Sequence, residues 1–261
     1  IGCESMMNNF KFYVLGNYPP NIRTFGKCKS TCYMLEGFSQ HIFLDFGAGV
    51  FSKFIRMVNE GKIDLSKVLI IISHNHVDHN LSLLSLAIYL YIYNLTHKKK
   101  IVIDIVLPHK SIVYNIVNKF KGVFNIHVLN EKFMMKIDEA KFTFCKTIHR
   151  GESYATKIQI KDKWFVYTSD IAKYSDELKD FVWGSESVLI DAGYPKKRFN
   201  SFRNYHGRTK DILKDTSKLN VKKIYASHIR FFSNYKDYKN YFPKYVKTQL
   251  VKIDNTYKMF K

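Results

Sequence analysis

The sequence is poor in the residues that mark several protein classes. Its 261 residues include only four cysteines, five prolines, two tryptophans and twelve glycines. The four thiols are Cys3, Cys28, Cys32 and Cys145. They suggest no disulfide framework, and the C-x3-C of Cys28 and Cys32 has poor spacing for a zinc or redox pair. Reduced, mostly buried thiols and a cytoplasmic location are therefore expected. Low glycine and proline exclude collagen-like and low-complexity chains, and no internal repeat is evident. The longest apolar run, Leu81–Leu95, has 15 residues interrupted by two serines and an asparagine. A membrane-crossing helix needs about 20, so the run reads as a buried helix and no membrane span is expected. An apolar leader segment is missing, so no signal peptide is expected. Residues 1–6 read as a remnant of cloning, because the chain opens on Ile1 with the first methionines at Met6 and Met7.

Acidic residues are also scarce: 22 Asp and Glu stand against 42 Lys and Arg, a formal charge of +20. Such a balance favours anionic partners. Only seven of the basic residues are arginine, and Ile, Asn, Tyr and Phe are abundant. The codon usage of an AT-rich genome would produce the same bias, so two readings of the charge stay open. Its distribution is uneven, however. Residues 201–261 carry a net +11, against +5 over 1–100 and +4 over 101–200. Codon bias does not predict that concentration.

What is present is an ordinary globular balance, 46% hydrophobic and 25% charged. No linker interrupts the chain, so residues 7–261 read as a single domain. Short runs rich in aromatic and β-branched residues predict strands at 10–15, 31–35 and 41–46. Gly47-Ala48-Gly49 ends the third, and helical spacing follows over 50–59 with Gly61 as a C-terminal cap. Val68–Ile72 is uninterruptedly apolar, the mark of a strand buried on both faces. Further strands are predicted at 101–107, 124–129, 141–147, 156–160, 164–168, 187–190, 223–226 and 249–253. Helices are predicted at 81–95, 109–121, 176–182, 209–219 and 235–246. Strand meanders followed by helices, twice over, predict an α+β chain with two sheets face to face and helices outside.

Directly after the buried 68–72 strand comes Ser73-His74-Asn75-His76-Val77-Asp78-His79. Four potential metal ligands fall within six residues, an H-x-H-x-D-H. Imidazole suits zinc, and a carboxylate adds a harder, charged ligand. Adjacent Asp78 and His79 diverge, so one cluster naturally serves two ions. A catalytic zinc site usually has three protein ligands and one open position, so each pair needs help from elsewhere. His149, Asp170 and His228 are candidates, each just after a predicted strand. His41, His97, His109 and His127 lie in strand, helix or lysine-rich contexts and read as ordinary histidines.

Leu44-Asp-Phe-Gly-Ala-Gly49, Ile72–His79, Ile148-His149, Tyr167-Thr-Ser-Asp170 and Ala226-Ser-His228 occur in that order over nearly the whole chain. In this the chain resembles the metallo-β-lactamase-fold hydrolases. The resemblance implies a four-layer αββα sandwich of two mixed β-sheets flanked by helices. It also implies two divalent ions, usually zinc, with manganese as the alternative. By that resemblance His74, His76 and His149 hold the first ion, Asp78, His79 and His228 the second, and Asp170 bridges them. Asp45 is implied as a buttress of the site loop and not as a ligand.

The fold does not settle the reaction. Tyr205-His206-Gly-Arg-Thr209 resembles the H-x-T-like segment of the tRNase Z and small phosphodiesterase branch, with one extra residue before the threonine. The resemblance implies that His206 contacts the phosphate and assists the leaving group. Asp191-Ala-Gly-Tyr194 resembles that branch's E-A-T-Y, whose carboxylate orients the histidine; Asp191 is the shorter side chain. Only 20 residues lie between His149 and Asp170, too few for the tRNA-clamping arm of full tRNase Z enzymes. The expected reaction is hydrolysis of a phosphodiester by hydroxide shared between two metals, which Asp78 could also orient. His206 would serve as general acid, and Arg203, Arg208 and Lys210 would bind the anion. The expected partner is thus an anionic phosphodiester, nucleotide, cyclic phosphate or nucleic acid, with a homodimer left open. A thioester, lactone or other carbon-ester hydrolase is the alternative. A binding protein with a dead site is disfavoured, because none of the seven ligands is missing.

Overall fold

In the computed structural model the described residues are 9–18, 29–109, 112–120, 122–193, 206–228, 239–244 and 246–260. The first half builds one seven-stranded sheet. Its strands are β1 (Lys11–Gly16), β2 (Cys32–Glu36), β3 (His41–Leu44), β4 (Val68–Ile71), β5 (Ile103–Pro108) and β6 (Phe124–Leu129), with β14 (Thr256–Lys258) returning from the far end of the chain. The order is β14-β1-β2-β3-β4-β5-β6. The second sheet contains β7 (Met134–Ile137), β8 (Ala140–Lys146), β9 (Tyr154–Ile160), β10 (Lys163–Tyr167), β11 (Ser187–Asp191), β12 (Lys223–Ser227) and β13 (Lys247–Leu250), in the order β13-β12-β11-β10-β9-β8-β7. Each sheet is mixed. β3 to β6 are parallel and β10 to β13 are parallel, while the remaining neighbours run antiparallel.

Alternation along the strands explains the layers. Side chains of a strand point to opposite faces in turn. In β2, Tyr33 and Leu35 enter the core between the sheets, while Cys32 and Met34 enter the core under the helices. β4 does the same with Leu69 and Ile71 against Val68 and Ile70. Both faces are buried, so the sequence shows an unbroken apolar run where a half-exposed strand would alternate. Phe12 sits at the middle of the inter-sheet core. Its ring lies 5.0–6.1 Å from those of Tyr33, Phe165, Tyr225 and Tyr257, mostly in edge or tilted contacts that suit the ring quadrupole.

Helices α1 (Phe51–Asn59), α2 (Val77–Asn80), α3 (Ser82–His97) and α4 (Ile112–Val117) accompany the first sheet, and α5 (Asp176–Val182) and α6 (Thr209–Thr216) the second. α5 starts on Ser175, whose side chain accepts from the Leu178 amide. α1 is followed by Gly61 at φ +69°, as expected for a helix end. The expected helix over 109–121 is shorter in the structure. The expected helix over 235–246 lies partly outside the described residues, and 240–244 are turn and irregular chain that includes Pro243, which cannot donate a helical hydrogen bond. β7 and β14 were not expected. Both are short, and their end residues Met134, Thr256 and Lys258 are exposed, so neither carries a strong apolar signal. Cys32 and Cys145 are free and buried; Cys3 and Cys28 lie outside the described residues. No helix among the described residues is long and apolar enough to cross a membrane.

The layers converge at one end. β3, β4, β8, β10, β11 and β12 all point their carboxyl ends to the same edge of the sandwich, the usual place for sites in such sheets. The loops there are tightly knit. The Phe46 amide donates to the His79 carbonyl at 2.7 Å, the Thr31 amide to the Asp78 carbonyl at 3.0 Å, and Ser82 Oγ to the Gly47 carbonyl at 2.6 Å. A Cβ on Gly47 would stand 2.0 Å from the Asp78 carbonyl oxygen, whereas one on Gly61 would meet nothing within 4 Å. Gly61→Ala should therefore cost only the left-handed backbone strain, about 1–2 kcal/mol. Gly47→Ala should cost more, above about 3 kcal/mol, because backbone must move. Chemical denaturation of the two variants checks this; equal losses would mean that the approach of the two loops is not a constraint.

Candidate metal centre

Asp45, at the end of β3, organises the site. It is fully buried at φ +60°. Its carboxylate accepts from the Ser73 amide at 2.7 Å, Ser73 Oγ at 2.9 Å, Tyr167 Oη at 2.6 Å and His79 Nδ1 at 2.7 Å. A carboxylate only accepts, so His79 Nδ1 carries a proton and Nε2 is the nitrogen left for a metal. The same logic fixes His74. Ser73 Oγ spends its proton on Asp45 and receives one from Ser169 Oγ at 2.6 Å. The His74 Nδ1 at 3.0 Å must then be the donor, which leaves Nε2 as the acceptor.

The seven expected ligands come together as two clusters that share one member: His74, His76, His149 and Asp170, and Asp78, His79, Asp170 and His228. His76 Nδ1 is 3.1 Å from both His74 Nε2 and His149 Nε2. Donors about 2.0–2.1 Å from a tetrahedral zinc would stand about 3.3–3.4 Å apart, so the spacing suits one ion. Asp170 Oδ2 lies 3.6 Å from His74 Nε2, 3.9 Å from His149 Nε2 and 3.3 Å from His79 Nε2, while Oδ1 lies 3.7 Å from His228 Nδ1. Asp78 Oδ2 is 3.5 Å from His79 Nε2 and 3.6 Å from His228 Nε2. Three of these atoms, His79 Nε2, His228 Nε2 and Asp170 Oδ2, are buried without a hydrogen-bond partner. Each unpartnered buried polar atom costs about 1–3 kcal/mol, and a cation ligated by all three removes the cost together. The donor set and these orphaned atoms fit divalent metal.

Electrostatics agrees with that use at three of the histidines, whereas at His79 burial is outweighed by Asp170, Asp45 and Asp78, which hold its pKa well above the ordinary range until a cation takes the place of the Nε2 proton. Burial, helped by the neighbouring His79, pushes His74 well below its ordinary range. Burial and His149 bring His76 down to about 4, and burial with His206 brings His149 to about 4. Neutral imidazoles are the ligating form. Burial opposes ionisation of Asp170, but His228, His79 and His206 outweigh it and hold the carboxyl well below the usual range.

A third group joins Asp170 and His228 to Asp191 and His206. His206 Nδ1 donates to Asp191 Oδ2 at 2.6 Å, and Asp191 Oδ1 accepts the Gly193 amide at 2.7 Å. The shorter carboxylate reaches the histidine because the chain turns tightly after β11. Gly193 has φ +59°, and a Cβ there would meet the Gly207 carbonyl at 2.0 Å. His206 Nε2 then faces Asp170 Oδ2 at 3.7 Å. Burial lowers the His206 pKa, but Asp191 and Asp170 raise it more, to about 9.

Arg208 precedes α6, is half exposed and pairs with Asp211 on the same helix. Lys210 is exposed in the first turn of α6, and Arg203 lies outside the described residues. His41, His97, His109 and His127 join none of these clusters. Sequence reasoning missed the polar residues behind the ligands: Ser73, Ser169, Tyr167, Thr31 and Asn17. Thr31 Oγ1 lies 3.2 Å from His228 Nδ1, and Asn17 Oδ1 accepts the His228 amide at 2.8 Å. Ser73, Tyr167 and Ser169 sit inside the quoted motifs, a signal that was there to use. Asn17 and Thr31 had none.

With this geometry in place, the comparisons are decisive about family. A model of the beta-lactamase superfamily domain matches residues 50–229. The chain belongs to that superfamily. Three solved structures share its fold at low identity. The metallo-beta-lactamase fold protein YhfI from Bacillus subtilis aligns at TM-score 0.79 with 19% identity, over 95% of this chain and 99% of that one. A diphosphatase of the PhnP family aligns at 0.72 with 16% identity, over 95% and 97%. Human short-form tRNase Z aligns at 0.70 with 14% identity, over 95% and 99%. No curated protein matches the sequence. The superfamily member described here thus keeps the expected αββα sandwich and a site whose clusters can hold metal.

The histidine shifts give a pH signature for the metal-stripped chain. Groups with depressed folded pKa disfavour protonation on folding. For His76 and His149 stability is full above about 6.5, the unfolded value, and falls as pH drops toward 4. His206 acts oppositely: its contribution is full below about 6.5 and is lost as pH rises through 9. In the presence of a chelator, His76→Gln should flatten the acidic decline in melting temperature and His206→Gln the alkaline one. Unchanged pH profiles in both variants would contradict these environments.

Proposed function

We propose that the protein is a dinuclear-metal phosphodiesterase. The observation that carries this reading is the His206–Asp191 pair. His206 is not needed in either ligand cluster, yet its Nε2 is aimed at the shared carboxylate from the side opposite Asp191. A carbon-ester hydrolase with a good leaving group has little use for such a group. A phosphodiester with a poor alkoxide leaving group needs a proton or a positive charge there. A diphosphatase and a tRNase Z stand among the structural likenesses, in keeping with phosphate-ester chemistry.

His74, His76 and His149 would hold one ion, Asp78, His79 and His228 the other, and Asp170 would join both. Zinc suits this imidazole-rich, sulfur-free set, with manganese as the alternative. Such a pair supplies a nucleophilic water of lowered pKa and neutralises phosphate oxygens. The chain's own groups do the rest. Asp45 and Ser73 hold His79 and His74 in the ligating tautomers. Asp78, with an oxygen toward the second cluster, orients the attacking water. Asp191 holds the His206 proton on Nδ1, so Nε2 can carry a second proton to the leaving oxygen. Arg208 and Lys210, at the start of α6, would offer positive charge to an anionic substrate, Arg208 by exchanging its partner Asp211 for phosphate.

Between His149 and Asp170 the chain is occupied by the antiparallel β9–β10 hairpin. That interval carries no clamping arm, and the substrate in this reading is a nucleotide, a cyclic phosphate or a nucleic acid.

Two outcomes test the reading. His206→Ala should retain metal and fold but lose about 10²–10⁴-fold in kcat on an alkyl phosphodiester. It should lose much less on bis-p-nitrophenyl phosphate, whose leaving group needs little protonation. Equal turnover of the alkyl ester by the variant and the parent would remove the argument for a phosphodiesterase. Elemental analysis after zinc reconstitution should show that Asp170→Ala retains less metal than His228→Ala, because the bridging carboxylate serves two ions. Equal retention would contradict the bridge.

A further inference from the structure

A histidine ligand must turn one unprotonated ring nitrogen to the ion. Asp45 leaves Nε2 of His79 for that purpose, and Ser73 does the same for His74. His228 is less constrained by its own sheet. Its ring lies between those of His79 and His206, with centroids 5.4 and 5.1 Å away at interplanar angles of 30° and 20°. That stacking fixes the plane of the ring but not its edge. The χ2 torsion of histidine has two broad wells, and a half-turn between them keeps the plane while exchanging Nδ1 with Cδ2 and Nε2 with Cε1. The site carboxylates do not choose a nitrogen either. Asp78 Oδ2 is 3.6 Å from His228 Nε2, and Asp170 Oδ1 is 3.7 Å from Nδ1.

We infer that Thr31 is the positioning residue of the second ion: its hydroxyl, offered from the first sheet, holds His228 with Nε2 toward Asp78 and His79. Thr31 Oγ1 lies 3.2 Å from His228 Nδ1, and Nε2 is buried with no hydrogen-bond partner. A neutral ring that gives Nε2 to an ion carries its proton on Nδ1. Thr31 is within reach to accept that proton, whereas Asp170 at 3.7 Å is not. Turned by half, the ring would set Cδ2 against the hydroxyl and lose the bond. The place of the hydroxyl is set in turn by another ligand's backbone. Thr31 stands immediately before β2, its amide donates to the Asp78 carbonyl at 3.0 Å, and its carbonyl accepts the Gly47 amide at 3.0 Å. Asn17 holds the backbone of His228. Its Oδ1 accepts the His228 amide at 2.8 Å and Tyr33 Oη at 2.9 Å, and its Nδ2 donates to the Val251 carbonyl at 3.1 Å. His228 keeps its φ of 56° under that clamp, and Thr31 orients the ring. The inference rests on the two-ion reading of the site and not on the choice of substrate.

Zinc titration of the full chain against a competing chelator tests this. The parent should take two ions. Thr31→Val keeps the branched shape and the backbone bonds of Thr31 but removes the acceptor. It should bind the second ion about 10–100-fold more weakly, the usual loss when the partner of a ligating histidine is removed, and the first ion as the parent does. Thr31→Ser returns the hydroxyl and should restore the second ion. In 15N–1H spectra of the two-zinc parent, which need no variant to fold, the His228 proton should sit on Nδ1. Equal second-ion affinity in Thr31→Val and the parent overturns the inference and leaves the two-ion reading standing. So does a loss that Thr31→Ser fails to restore, or a two-zinc parent with the His228 proton on Nε2. A parent that takes a single ion overturns the two-ion reading, and this inference with it.

Discussion

The buried carboxylate of Asp45 is the interaction on which the site depends. It receives four hydrogen bonds, from the Ser73 amide and hydroxyl and from His79 in the first half of the chain, and from Tyr167 at the end of β10 in the second. One side chain thus ties the carboxyl ends of β3, β4 and β10 across the sandwich and sets the His79 tautomer. An unpaired carboxylate at this depth would be costly, and four donors aimed at it offset that cost. The Tyr167 hydroxyl is held neutral, its pKa pushed well up by burial and by Asp45, so it remains a donor.

Backbone strain is present at the same edge, at three of the eight described non-glycine residues with positive φ. Asp45, Ser169 and His228 have φ of 60°, 56° and 56°, a left-handed conformation that side chains with a Cβ enter at a cost of about 1–3 kcal/mol. Each lies just beyond the end of a strand, where a sharp change of direction turns a side chain into the cleft. The orphaned atoms of His79, His228 and Asp170 add to that cost. The site is preorganised at the expense of stability, and a bound cation returns part of what the strain and the unpartnered groups take.

Much of this was legible in the sequence because the determinants are local. His74, His76, Asp78 and His79 fall in one six-residue segment after an unbroken apolar strand, and any short turn there brings them near one another. His149, Asp170 and His228 were identifiable from their places after strands. Asp191 was the weakest of the site residues on paper, being one methylene short. The positive φ of Gly193 and the close pass of Gly207 show how the chain compensates, and neither is visible in a motif. Asn17 and Thr31 were illegible for a different reason. They act on His228 from more than 190 positions away, and nothing about a lone Asn or Thr announces such a partner. The short strands β7 and β14 escaped because they are sheet edges, where polar residues are tolerated.

The central claim is that two ions share Asp170 at the meeting point of the two half-sandwiches. X-ray absorption at the zinc edge of the reconstituted protein tests it most directly. The account predicts nitrogen and oxygen neighbours at about 2.0–2.1 Å, no sulfur, and a metal–metal distance of about 3.5–4 Å. A spectrum with no metal–metal scattering at full zinc loading, or with sulfur among the ligands, would contradict it.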